Sequence, residues 1–223
     1  MQAVPDIWAV VPAKQTADAK QRLASEYPAD FRRALALAML EDVLTALTRC
    51  RDLAGVIVVT CDESIAARGR SLGTEIFEDG ARAGHTGAVN AAIARLVRED
   101  RNGILTVPGD IPLITPDEVS RLVAAHRCEP AFTIVPAHDR RGSNAIIMTP
   151  PDAVPLAFGD DSFLPHLAAA RRCGIEPTVV PLPGIGLDID NPQDLQLLLK
   201  TQSAARGQTR AWACLRQHRI VPA

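Results

Sequence analysis

The sequence lacks clustered cysteines: its five, at positions 50, 61, 128, 173 and 214, include no Cys-x-x-Cys pair, and their number is odd. That spacing reads as reduced, packed thiols of a cytoplasmic protein rather than a disulfide framework. The five histidines form no ligand cluster beside them, so structural zinc is not expected. Net charge is nearly absent as well. With 24 basic and 26 acidic residues the formal charge is -2, which gives no general attraction to nucleic acid or an anionic membrane and leaves any phosphate binding to local groups. No apolar run approaches the ~20 residues that span a bilayer. Met1 to Asp6 shows no basic segment leading into an apolar core, so no signal peptide is expected. Internal repeats, low-complexity linkers and the Walker A pattern Gly-x-x-x-x-Gly-Lys-Ser/Thr are all missing.

What is present is the composition of an ordinary globular protein, 47% hydrophobic and 22% charged over 223 residues. That length suffices for one sizeable core, although it also accommodates two small domains. Ile7 to Val11, Gly55 to Thr60, Thr74 to Phe77 and Ile104 to Val107 are short apolar or β-branched runs that read as buried strands. Helical spacing follows each of the first two: Asp30 to about Arg49, and Asp62 to about Leu72. A third helix is expected from Ala88 to about Arg98, after the glycine-rich loop Gly80 to Gly87. Strands alternating with helices imply βαβ crossovers, hence an α/β fold with a mainly parallel sheet flanked by helices. Phe132 to Val135 and Ala145 to Met148 are joined by a short polar turn, which favours an antiparallel hairpin and makes the sheet mixed. Pro177 to Leu182 reads as a further strand.

The chemistry gathers around Pro108-Gly109-Asp110-Ile111-Pro112-Leu113, just past the expected C-terminal end of the Ile104 to Val107 strand. Open α/β sheets place ligands at that edge, and a carboxylate there suits a divalent cation. The alternative is that Asp110 only caps a turn. Pro12 to Leu23 follows the first strand and carries Lys14, Lys20 and Arg22, a sensible cradle for a polyphosphate unless it is simply a solvated basic loop. In Gly186-Leu187-Asp188-Ile189-Asp190-Asn191-Pro192, an extended backbone would put Asp188 and Asp190 on one side, roughly 6.6 Å apart. Two unit charges about 7 Å apart repel by roughly 2.4 kcal/mol at an effective dielectric of about 20, and a bound cation would reverse that. Capping of the next helix explains Asp190 or Asn191, but not Asp188. Gly87 and Asn90 stand near a helix start where backbone and amide could meet a base or ribose, Asn90 being equally readable as a surface residue. Gly159 and Ser162, at another helix start, could hold an anion through backbone N–H groups and a hydroxyl, with capping by Asp161 or Ser162 as the ordinary alternative. Thr115-Pro116-Asp117-Glu118 reads as a capped helix start with Glu118 closing a capping box.

Residues 203–223 carry Arg206, Arg210, Arg216 and Arg219 and no acidic residue. The boundary is therefore expected at 202, with a catalytic domain over 1–202 and a basic tail that is either disordered or docked on the parent domain or a second subunit.

The ordered motifs Pro12-Ala13-Lys14 with Ala19-Lys20-Gln21-Arg22-Leu23, Gly87 to Ala92, Pro108 to Leu113, Gly142-Ser143-Asn144-Ala145, Phe158 to Phe163 with His166, and Leu187-Asp188-Ile189-Asp190 resemble the CofC/FbiD family of guanylyltransferases. This is a branch of the MobA-like nucleotidyltransferases that serves coenzyme F420 biosynthesis. The resemblance spans about Trp8 to Lys200. It implies a nucleotide-diphospho-sugar transferase-like fold and transfer of GMP from GTP, with release of pyrophosphate, to 2-phospho-L-lactate, phosphoenolpyruvate or 3-phospho-D-glycerate. Under it, Pro12, Ala13, Lys14, Lys20, Gly87 and Asn90 bind the nucleotide, and Lys14, Lys20 and Asp110 serve catalysis. Asp110, Asp188 and Asp190 hold magnesium, and Ser143, Gly159 and Ser162 bind the phospho-acid. His166 is expected to be structural. Ser143 stands where relatives often have threonine, and Gly109 where alanine is commoner. The expected partners are GTP and the phospho-acid, with neither nucleic acid nor membrane; a homodimer is left open. A molybdopterin-type nucleotidyltransferase would differ in accepting a larger substrate, and a non-catalytic nucleotide-binding protein would bind GTP without releasing pyrophosphate.

Overall fold

The computed structural model describes residues 6–14, 20–127, 129–201 and 206–221. Seven strands form one sheet: β1 (Ile7–Pro12), β2 (Gly55–Val59), β3 (Glu75–Phe77), β4 (Gly103–Thr106), β5 (Ala131–Pro136), β6 (Ser143–Thr149) and β7 (Thr178–Val179), in the order β3-β2-β1-β4-β6-β5-β7. All neighbours pair in parallel except β6, which runs antiparallel to both β4 and β5. The α/β, mixed and mainly parallel architecture expected from the sequence is the one observed.

Alternation along the strands explains the layers. Ile7, Ala9 and Val11 of β1 face one core with Val56 and Val58 of β2, whereas Trp8 and Val10 face a second core with Ile57 and Val59. The first core is covered by α1 (Ala29–Arg49), α2 (Glu63–Ser71) and α4 (Pro116–Ala125), and the second by α3 (Gly84–Arg98) and α5 (Phe163–Arg172). A two-residue period sends successive side chains to opposite faces, so a strand buried on both sides must be apolar throughout.

Several boundaries differ from the sequence reading. The first turn of α1 contains Asp30, and Pro28 stands at its cap. Helix α3 begins at Gly84, not Ala88, because the end of the glycine-rich stretch is already its first turn. The strand expected over 177–182 shrinks to the two residues of β7, an edge strand whose ladder along β5 is two pairs long. Thr115 caps α4 as expected, but Glu118 does not close a capping box. Its carboxylate instead accepts the backbone N–H groups of Gly184 (2.8 Å) and Ile185 (3.1 Å). That close approach requires glycine at 184, where a Cβ would lie 2.3 Å from Glu118 Oε2.

Beyond α6 (Pro192–Lys200), the chain forms α7 (Arg210–Gln217) on the surface of α1. Asp42 of α1 accepts the N–H groups of Arg210 (2.7 Å) and Ala211 (2.9 Å), occupying free donors at the start of α7. Ala211, Cys214 and Leu215 join Phe31, Leu35, Met39, Leu187 and Ile189 in a third apolar cluster.

Candidate active site

Because β6 runs against β4, its first residue lies at the edge where β4 ends: Thr106 pairs with Ile146, and Ser143 stands beyond, opposite Pro136 at the end of β5. Ser143 and Asp110 therefore reach one sheet edge from elements of opposite direction. The cleft there is about 1490 Å³, larger than the roughly 300–1,000 Å³ of a pocket for one small ligand, and has room for two substrates. Its lining includes Pro12, Ala13, Lys14, Lys20, Asp110, Ser143, Gly159, Ser162, Asp188 and Asp190. Residues 15–19 of the basic loop lie outside the described residues.

Two residues expected to contact the nucleotide are not among those lining the cleft. Gly87 is half-buried against Ala83, where a Cβ would meet that residue's own at 2.3 Å, and Asn90 is exposed further along α3. The α3 residues that line the cleft are Gly84, His85, Thr86 and Ala88, all in the first turns of a helix that starts a full turn sooner than its hydrophobic period suggests. Burial holds the His85 imidazole below its usual range despite the neighbouring Asp110.

The acidic segments form one unit. Ile189 donates its N–H to the backbone carbonyl of Asp110 (3.0 Å), while the buried Leu187 and Ile189 side chains turn Asp188 and Asp190 toward the cleft. Asp190 and Asn191 both donate backbone N–H groups to Asp194, which closes a capping box with Asn191 at the start of α6. Asp188 accepts from Asn144 Nδ2 (3.0 Å), and the same amide donates to the Ile185 carbonyl (3.0 Å). Glu118, the 184–185 turn, Asn144 and Asp188 thus form a continuous brace from α4 to the cleft. Sequence reasoning does not single out Asn144, since nothing in the chain shows that residues 144 and 188 meet.

Lys20, in a left-handed conformation (φ 53°), sends its ammonium between Asp110 Oδ2 (2.5 Å) and Asp190 Oδ1 (2.8 Å). Burial alone would lower its pKa, but the two carboxylates outweigh that and hold it above the usual lysine range. Burial likewise opposes the Asp190 charge, and Lys20 and Arg22 reverse the effect, keeping that carboxyl below its usual range. Among the described residues no such cation offsets burial at Asp188, which raises its pKa, with Asn144 opposing.

Among the described residues no three His, Cys, Asp or Glu side chains already surround one point. The donors nevertheless fit a hard divalent cation: all three acids offer oxygen, Lys20 stands among them as a cation, and the buried Asp110 Oδ1 accepts no hydrogen bond from the described residues.

Elsewhere in the cleft lining, Ser143 Oγ lies 2.9 Å from His166 Nδ1 and accepts from Ser162 Oγ at 3.2 Å. Ser162 stands at the cap of α5 but makes no capping bond, and Asp161 pairs with Arg141. The buried His166 also accepts the Ala157 N–H at Nε2 (3.2 Å). A backbone N–H can only donate, so the neutral imidazole carries its proton on Nδ1. His166 therefore has no lone pair facing Ser143 and cannot act as the base of a serine nucleophile. Phe158 stands between His166 and His85, with ring centroids 5.1 and 4.5 Å away, and donates its N–H to Thr86 Oγ1 (3.0 Å).

The model of the family described as "Guanylyl transferase CofC like" matches residues 7–213 and so extends into α7. Over 201 residues the chain is 33% identical to a phosphoenolpyruvate guanylyltransferase of Conexibacter woesei, covering 90% of each chain. A phosphoenolpyruvate guanylyltransferase of Roseiflexus castenholzii is 38% identical, with 85% of this chain and 86% of the relative covered. A 3-phospho-D-glycerate guanylyltransferase of Colwellia psychrerythraea is 33% identical, with 85% and 89% covered. Among solved structures, a protein described as a nucleotide-diphospho-sugar transferase from Desulfovibrio desulfuricans G20 superposes with a TM-score of 0.77 at 20% identity, over 97% of this chain and 96% of that one. The likeness to it is one of fold.

Proposed function

This chain belongs to the CofC-like guanylyltransferase family and is a nucleotidyltransferase; from that premise we propose that it transfers GMP from GTP to the phosphate of a three-carbon acid, releasing pyrophosphate, as a step toward coenzyme F420. Phosphoenolpyruvate is the first acceptor to test, because relatives at 33% and 38% identity carry that name. The observation that carries the reading is that two unlike groups of side chains line one cleft. One is the Lys20, Asp110, Asp188 and Asp190 cluster, and the other is the hydroxyl of Ser143 with its hydrogen-bond partners.

An acceptor phosphate oxygen attacks the α-phosphorus of GTP, the new P–O bond forms, and the bond to the β-phosphate breaks with pyrophosphate leaving. The acceptor is already an anionic nucleophile, so no general base is needed. Lys14 and Lys20 hold the phosphates and stabilise the charge on the leaving group. Ser143 orients the acceptor phosphate, and the Glu118–Asn144 brace keeps Asp188 in place. Asp110, Asp188 and Asp190 would hold magnesium, which neutralises triphosphate charge when bound. Reaching the nucleotide requires Lys20 to leave its carboxylate partners for the phosphates, a move its long side chain permits.

The test is a turnover assay with GTP, magnesium and, separately, phosphoenolpyruvate, 3-phospho-D-glycerate, 2-phospho-L-lactate and molybdopterin, reading pyrophosphate and the guanylylated product. Turnover with at least one acid supports the proposal. GTP binding without pyrophosphate release in any reaction, or turnover of molybdopterin alone, overturns it.

A further inference from the structure

We infer that His166 is a positioning residue that fixes the direction of the Ser143 hydroxyl proton, making Ser143 a hydrogen-bond donor toward the acceptor anion. The inference rests on the proposed acceptor site and adds a residue to it. Ser143 Oγ has one proton and two lone pairs. Nδ1–H of His166 occupies one lone pair at 2.9 Å, and the Ser162 hydroxyl occupies the other at 3.2 Å. The remaining proton of Ser143 is thereby directed away from both partners, and Ser143 lines the cleft.

The direction of the chain is set at its far end. Ala157 N–H donates to His166 Nε2 and leaves the imidazole no choice of tautomer while it is neutral. Burial, aided by the neighbouring His85, depresses the His166 pKa to about 4, so it is neutral at physiological pH. Without His166, Ser143 could rotate its proton toward Ser162 or the vacated space and present a lone pair, which repels an anion. Sequence reading treats His166 as structural because an anionic acceptor needs no serine–histidine pair, and nothing in the sequence shows that it meets Ser143, 23 residues away.

Two substitutions separate the two ends of the ring. In His166→Gln the side-chain amide reaches the Nε2 position and can keep the Ala157 contact, but it offers nothing at Nδ1. In His166→Asn an amide N–H falls near the Nδ1 position and can still donate to Ser143. The expected result is a KM for phosphoenolpyruvate raised about three- to tenfold in His166→Gln, the scale of one hydrogen bond. The KM for GTP should stay within about twofold, and His166→Asn should recover most of the phosphoenolpyruvate affinity. His166→Gln should add little when Ser143 is already alanine. If His166→Gln and His166→Asn raise the KM equally, the role is packing and the inference is wrong. If Ser143→Ala raises the KM but His166→Gln does not, the acceptor reading stands and only this inference fails. If Ser143→Ala itself leaves the KM unchanged, the acceptor site has been misplaced and both fall. Should phosphoenolpyruvate not be turned over, whichever of 3-phospho-D-glycerate and 2-phospho-L-lactate is active replaces it in every arm.

Discussion

The Lys20 ammonium bridges Asp110 Oδ2 at 2.5 Å and Asp190 Oδ1 at 2.8 Å, neutralising carboxylates that lie 90 and 170 residues further along the chain. A lysine held there competes with a divalent cation for the same oxygens. Lys20→Met should therefore make the nucleotide-free protein more responsive to magnesium. Millimolar Mg2+ should raise its melting temperature by about 3 °C or more, the shift given by ~1 kcal/mol of binding in a protein of this size, and raise the wild type less. Turnover should fall at least about 100-fold through loss of the positive charge at the leaving group. Equal magnesium shifts in the two proteins would show that the ammonium is not standing in a cation position.

Asp110→Asn and Asp188→Asn should each lower turnover by at least about 100-fold while the protein stays folded, since each removes negative charge from an electrostatic site without changing side-chain volume. Circular dichroism and steady-state rates at limiting magnesium check this together. Near-wild-type rates in both variants would end the metal-ligand reading.

The sheet was legible because its strands are short apolar runs with glycine, proline or polar residues between them, and the hairpin because the connection from Val135 to Ala145 is too short for a crossover. Asp110 was legible by position, since a carboxylate just past a buried strand end stands at the sheet edge that lines the cleft, although its spacing alone also allowed a turn cap. What stayed hidden depends on contacts between distant residues. Asn90 looked suitable from its side chain, but α3 begins at Gly84, which leaves Gly84, His85, Thr86 and Ala88 at the cleft and Asn90 exposed outside its lining. Glu118 had the spacing of a capping box, yet its carboxylate had stronger demands from two buried N–H groups in the 184–185 turn. The bond of Asn144 to Asp188 and that of His166 to Ser143 exist only once the sheet has folded.

His126 bridges Thr133 Oγ1 (2.8 Å) on β5 and Thr149 Oγ1 (3.0 Å) on β6, and burial depresses its pKa from 6.5 to about 4. The unfolded chain then binds more protons than the folded one between those values, so stability from keeping this imidazole neutral is present above about pH 6.5 and is lost as pH falls toward 4. Other groups titrate in the same window, among them Asp42, which burial raises to about 6 and which acts in the opposite direction. The informative quantity is therefore a difference. Wild type should lose more melting temperature than His126→Gln between pH 7 and pH 4.5. Parallel losses in the two proteins would show that His126 does not titrate on unfolding.

Leu215 of α7 is fully buried against the cluster that also contains Leu187 and Ile189, the residues flanking Asp188. No residue of the acidic cluster or of the Ser143 pocket belongs to α7, so its contribution is to packing and reaches the chemistry only through that cluster. Truncating a buried leucine costs about 2–5 kcal/mol. At roughly 2–4 °C per kcal/mol for a chain of this length, Leu215→Ala should lower the melting temperature by about 4–20 °C. At a temperature where the variant remains folded, kcat should stay within about threefold of wild type. Deleting residues 203–223 should cost more stability, since it also strips Asp42 of the two N–H donors it accepts from Arg210 and Ala211. Melting curves and rates measured on the same preparations decide the point. If the truncated protein melts like wild type but has lost turnover, α7 acts on the site itself, and the boundary between scaffold and active site must be moved to include it.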